Sequence, residues 1–105
     1  MIFLRISSKS EEKINKIVEL LLKEKLAINL NIKRGVDRVV DYKKDQVVTV
    51  PICVLTGKTK GLLFPLIEKR IEKEFSDEMP EIFSLPIIHM DWNQSIQLSQ
   101  DLMPV

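Results

Sequence analysis

The chain opens on an alternation. In IFLRI, residues 2–6, Ile2, Leu4 and Ile6 fall on one side of an extended backbone and Phe3 and Arg5 on the other, the period-two pattern of a strand with one face in a core. The period then lengthens. Ser8 and Glu11 stand at capping-box spacing, and Ile14, Ile17, Val18 and Leu21 recur at helical intervals, which predicts a helix from about Lys9 to Lys25. Its polar positions carry charges of both signs, as a solvated face does. AINLNI, residues 27–32, returns to alternation with Ile28, Leu30 and Ile32 inward. Gly35 then interrupts, and VDRVVDY resumes in shifted phase, so a bulge is expected around Lys33–Gly35. After a turn at KKDQ (43–46), VVTVPICVLT (47–56) reads as a third strand with Val48, Val50, Ile52 and Val54 on the core side and Thr49 and Cys53 opposite. GKTKG (57–61) predicts a break. A second helix starts near Leu62, with Pro65 in its first turn and Phe64, Ile67, Ile71 and Phe75 as its apolar stripe.

EMPEIFSLPI, residues 78–87, supplies a fourth strand that contains two prolines. Their even spacing turns both missing N–H groups to the same side, so one edge still pairs fully and the other is blocked, as the border of a sheet requires. A short helix from about Asp91 completes the chain, with Trp92 and Ile96 expected to anchor it. The order βαββαβ plus a tail predicts one domain over residues 1–105, an α+β ferredoxin-like sandwich with helices on one side of an antiparallel sheet. The second and third strands form a hairpin too long for two helices to cover. Val39, Val40, Tyr42, Val47 and Val48 near its tip therefore predict a partner chain. Burying the four valines is worth about 6 kcal/mol at about 1.5 kcal/mol each, before association costs.

Composition narrows the function. Sixteen basic and fifteen acidic residues leave a net charge of +1, too little to draw in nucleic acid or an anionic membrane. No apolar run has the length of a membrane span or a signal peptide, which places the chain in the cytoplasm. One cysteine and one histidine fall short of a zinc site within one chain. No catalytic triad, phosphate-cradling glycine loop or recognisable carboxylate pair occurs, so a non-enzyme is expected.

KLAINLNI, the Gly35–Val36 pair, LFPLIEKRI, Glu78-x-Pro80-Glu81-Ile82 with Leu85-Pro86, and the late WNQSI come in an order that resembles the divalent-cation tolerance (CutA) family over nearly the whole chain. The resemblance implies a ferredoxin-like homotrimer, related to nitrogen-regulatory signalling proteins, whose long hairpins embrace neighbouring subunits. It also implies a divalent metal ion as the cofactor to consider. The family's metal-binding cysteine aligns with Asn29, however, and its His-Pro-Tyr segment with Phe75–Asp77. An amide and a carboxylate there remove the soft ligands that copper prefers. The family's acidic run between the hairpin strands is replaced by QVVTV at 46–50.

Other residues invite a functional reading. Arg5, Asn29, Asn31, Thr49 and Cys53 should share the odd-numbered side of the sheet, away from the helices, where they line either a subunit interface or a small pocket for an anion or metabolite between subunits. Glu81 either binds a cation, fixes the turn after Pro80 or pairs with a lysine across the trimer. His89 and Asp91 are the remaining metal candidates, and Cys53 reads as a packed thiol. Three functions fit: a trimeric binding or signalling module linked to metal tolerance, a sensor with small ligands in inter-subunit clefts, and a ligand-free scaffold.

Overall fold

A computed structural model describes all residues, 1–105, and orders them as β1 (Ile2–Ser8), α1 (Glu11–Lys23), β2 (Ile28–Lys43), β3 (Gln46–Thr59), α2 (Phe64–Glu74), β4 (Glu81–Pro86) and α3 (Trp92–Asp101). The strands form one antiparallel sheet in the order β2-β3-β1-β4, and the architecture is ferredoxin-like. Leu4 and Ile6 of β1 and Cys53 and Leu55 of β3 meet Ile14, Ile17 and Leu21 of α1 and Ile67 and Ile71 of α2 in a single core. The other sheet face carries no helix over its body; only the start of α3 reaches it, at Lys58.

Local chemistry sets the element ends. Ser10, not Ser8, caps α1: its Oγ accepts the Lys13 N–H at 3.1 Å, while Ser8 Oγ accepts the Ser10 N–H at 3.1 Å and shapes the entering turn. Strand β3 continues past the expected break at Gly57 to end at Thr59. A Cβ at Gly57 would lie 2.5 Å from Leu30 Cδ2 and 3.2 Å from the Ile28 carbonyl, so glycine here serves close approach of β2 within a strand. Thr59, fully buried, donates from Oγ1 to the Leu26 carbonyl at 2.6 Å. A 3-10 turn, Gly61–Leu63, leads into α2, and Pro65 sits in its first turn as expected.

Strand β4 borders the sheet. The Ile87 N–H donates to the Met1 carbonyl at 3.1 Å, so by alternation the odd-numbered amides of this segment face β1 and Pro86 lies with Ile82 and Ser84 toward the free edge. The tail is held differently from the expectation. Trp92 is 77% exposed, and Leu98 and Leu102 enter the core in its place. Leu98 and Leu102 are four apart and share a helix face, whereas Trp92 lies about a quarter turn away from that stripe.

The assignment of faces in β3 is also corrected. Cys53 and Leu55 point to the helices, while Val50, Ile52 and Val54 lie on the opposite face with Val48. PICVL is apolar on both sides, so periodicity alone fixes no direction. Pairing with β1 decides it: Leu55 opposes the buried Ile6, and Val54 opposes Ser7.

Candidate binding face

The helix-free face of the sheet gathers the polar chemistry of the molecule. Cross-strand partners share a face, so the registers place Arg5 beside Thr56 and Phe83, Ser7 beside Val54 and Glu81, Lys33 beyond Val54, and Phe3 beside Lys58 and Leu85. Arg38 joins them through a change of phase. Lys33 opposes Val54 but Val36 opposes Ile52, so β2 holds one extra residue there, the expected bulge. Gly35 takes the required left-handed conformation at φ +64°. Without this bulge the even-numbered Arg38 would point to the helix side. With it, Arg38 folds back over β3.

Glu81, at the start of β4, is the hub of that face. Arg38 donates from Nη2 to Glu81 Oε1 at 3.1 Å and from Nη1 to Oε2 at 3.4 Å, and Arg5 Nη1 lies 3.5 Å from Oε1. Ser7, only 3% exposed, donates to Oε1 at 3.4 Å and lies 3.5 Å from Arg38 Nη2. The Arg5 guanidinium also stacks 5.4 Å over the Phe83 ring. Beneath them Ile52 and Val54 are almost fully buried although no helix covers them. With two guanidinium groups on its oxygens, Glu81 is occupied as an ion-pair partner in this chain and is not an open cation ligand.

The other residues singled out in the sequence are dispersed. Asn29 sits in a second bulge at φ +54°, exposed, and its carbonyl accepts the Asn31 side-chain amide at 3.1 Å. Thr49 lies far out on the hairpin opposite Val39. Cys53 lies on the same side of β3 as Thr49 and not on the face of Arg5 and Asn31: it is buried in the core, where burial first, and the Glu11 charge second, push its thiol pKa up. Arg5, Asn31 and Glu81 do share the face, and Ser7 and Arg38 complete it. Arg38 carries no sign of this face in the sequence because its side depends on the bulge at Gly35, and Ser7 carries none because its partners lie on other strands.

His89 and Asp91 line a groove of about 520 Å³ with Phe3, Lys58, Leu85, Pro86, Ile87, Met90 and Gln94. Asp91 is committed there as the cap of α3. Its carboxylate accepts the Gln94 backbone N–H at 3.0 Å and the Gln94 side-chain amide, and these bonds hold its pKa below the usual value. Lys58 donates to Gln94 Oε1 and ties the helix to β3. His89 and Asp91 gather no further carboxylate, cysteine or histidine into a metal-holding cluster.

Along the distal hairpin Val39, Val40, Tyr42, Val47 and Val48 are all exposed, Tyr42 by 64%. Lys44 and Asp45, both at positive φ, form the two-residue turn between them. The outer strand β2 pairs on one side only.

The profile of the CutA1 divalent ion tolerance proteins matches residues 2–95. The chain belongs to the CutA1 family. Solved CutA1 structures superpose on nearly its full length. The divalent cation tolerance protein (Cut A1) of Thermus thermophilus is 27% identical, with a TM-score of 0.81 over 98% of this chain and 100% of that one. CutA1 of Oryza sativa is 22% identical, with a TM-score of 0.80 over 97% and 93% of the two chains. The protein from Archaeoglobus fulgidus described as a periplasmic divalent cation tolerance protein is 20% identical, with a TM-score of 0.78 over 96% and 98%. A search of curated proteins gives no match. The CutA1 fold is thus retained.

Proposed function

We propose that this CutA1-family chain is a self-assembling binding or signalling module, a homotrimer built through its hairpins, and not an enzyme. The observation that carries this reading is the distal hairpin itself. Its five large apolar side chains stay in water on a molecule drawn out to 52 × 31 × 19 Å, and a partner chain is what would shelter them. The number three rests on the family resemblance. A role in divalent-ion tolerance is supported by membership in the family and by the description of the Thermus thermophilus relative. A divalent metal ion is the cofactor that role suggests. With Cys53 in the core and His89 away from other ligands, tolerance here works through what the assembly binds and not through tight copper chelation by one chain. No helix is long and apolar enough to cross a membrane, and we place the assembly in the cytoplasm.

Sedimentation equilibrium tests the assembly. The native chain is expected at three times its 12.2 kDa mass, and the double variant Val39→Asp, Val47→Asp at the mass of a single chain, because buried carboxylates oppose association. A native chain that sediments as a monomer refutes the reading, and so does a double variant that remains trimeric.

A further inference from the structure

Arg38 and Glu81 meet only because the sheet is curled. Arg38 stands opposite Val50, whereas Ser7 and Glu81 stand in the row of Val54. Four residues along β3 amount to about 13 Å. Across the sheet, β3 and β1 lie between β2 and β4, a separation of about 14 Å. On a flat sheet the two backbones would therefore be farther apart than an arginine and a glutamate side chain reach together. Yet Arg38 Nη2 lies 3.1 Å from Glu81 Oε1, and Nη1 3.4 Å from Oε2. The hairpin arm is thus bent toward the helix-free face. The bulge at Gly35, at the base of the arm, is where β2 gains the extra twist and bend.

We propose, on the reading of this chain as a self-assembling module, that Arg38 and Glu81 form a clasp that holds the arm at a fixed angle to the body and so positions it for a neighbouring copy. The two halves of the clasp are built differently. Glu81 is set in place by the body alone: Ser7, only 3% exposed, donates to its Oε1 at 3.4 Å, and Arg5 Nη1 lies 3.5 Å from the same oxygen while its guanidinium stacks over Phe83. From the arm comes Arg38 alone. The bulge permits the bend without wedging it, since a Cβ at Gly35 would meet no atom within 4 Å. Fixing the angle therefore falls to the contact beyond the bulge. Arg38 and Glu81 are both partly exposed, so one clasp contributes little by itself, but an assembly of three chains carries three.

Sedimentation equilibrium of charge-swapped variants tests the clasp. Arg38→Glu and Glu81→Arg are each expected to raise the trimer dissociation constant about thirtyfold, near threefold for each chain. The double variant Arg38→Glu, Glu81→Arg should recover most of that loss. An equimolar mixture of the two single variants should not, because the pair forms within one chain. Recovery in the mixture would place the pair between chains and overturn the clasp. Single variants that assemble like the native chain overturn it too, as does a double variant no better than the singles. If a reversal loses the native circular dichroism, Arg38→Met and Glu81→Gln take its place, with weakening again expected and native-like assembly again overturning the clasp. A native chain that proves monomeric refutes the assembly reading and not the clasp. Small-angle X-ray scattering then decides: the longest dimension of Arg38→Glu should exceed that of the native chain and return in the double variant, and an unchanged dimension overturns the clasp.

Discussion

Gly57 illustrates how one residue's role depends on what lies beside it in space. In the sequence it opens GKTKG and reads as a strand breaker; in the fold it is an interior strand residue because β2, bulged at Asn29, presses Leu30 and the Ile28 carbonyl against it. Gly57→Ala is expected to destabilise by about 1–3 kcal/mol, since the Leu30 methyl can swing aside but the carbonyl cannot without moving the ladder. Urea unfolding followed by circular dichroism measures it. Cys53 makes the same point. Its place in a run apolar on both sides concealed which face it takes, and only its position opposite Ser8 in β1 puts it under the helices. Arg5 and Glu81 were legible as polar residues on a sheet, but their union with Ser7 and Arg38 was not, because it spans three strands far apart in sequence.

At the scale of elements, the pattern located every strand and helix, and the differences fall at the ends. The capping residue moved from Ser8 to Ser10 because Ser8 is still paired in β1, opposite Cys53. The two main helices are also clamped together by a contact no periodicity predicts: Arg70 of α2 donates to Glu24, at the end of α1, from Nε at 2.9 Å and Nη2 at 2.6 Å. The hydrogen bonds from Arg70 hold the Glu24 pKa below the usual glutamate value of 4.5, against the opposing effect of burial. A lowered folded-state pKa means that the stabilisation is present above the unfolded value and is lost as pH falls through the folded one. Glu24→Gln should therefore lower the urea midpoint at pH 7. The gap between variant and native chain should begin to close as the pH drops below about 4.3, the unfolded glutamate value, and close fully only past the lowered folded-state value, where the native carboxylate is protonated too. A gap that persists at low pH would show that packing, not charge, links the helices.

The whole molecule divides into a covered body and an uncovered arm. The body has its own core, reaching from Leu4 to Leu102. The arm has cross-strand hydrogen bonds but little burial, and local opening is easiest where buried apolar contacts are few. Amide hydrogen exchange should reveal the division. Protection over residues 38–48 is expected to rise with protein concentration as partner chains cover the arm, while amides of Leu4, Ile6 and Leu55 exchange at a rate independent of it. Concentration-independent exchange along the arm would mean that its own chain shelters it. The same scale accounts for Trp92. Its exposure is that of a side chain off the docking stripe of α3, with Leu98 and Leu102 supplying the attachment.

By itself the sequence determined the element order, the antiparallel edge strand with Pro86 at its free side, the bulge at Gly35 and the excess length of the hairpin, because each follows from backbone chemistry and periodicity acting over a few residues. The tertiary structure alone decided which face of β3 meets the helices, which residues hold the tail, and that Arg5, Ser7, Arg38 and Glu81 converge. Those outcomes depend on strand register and on the sum of successive bulges, where a shift of one residue sends every later side chain to the opposite face.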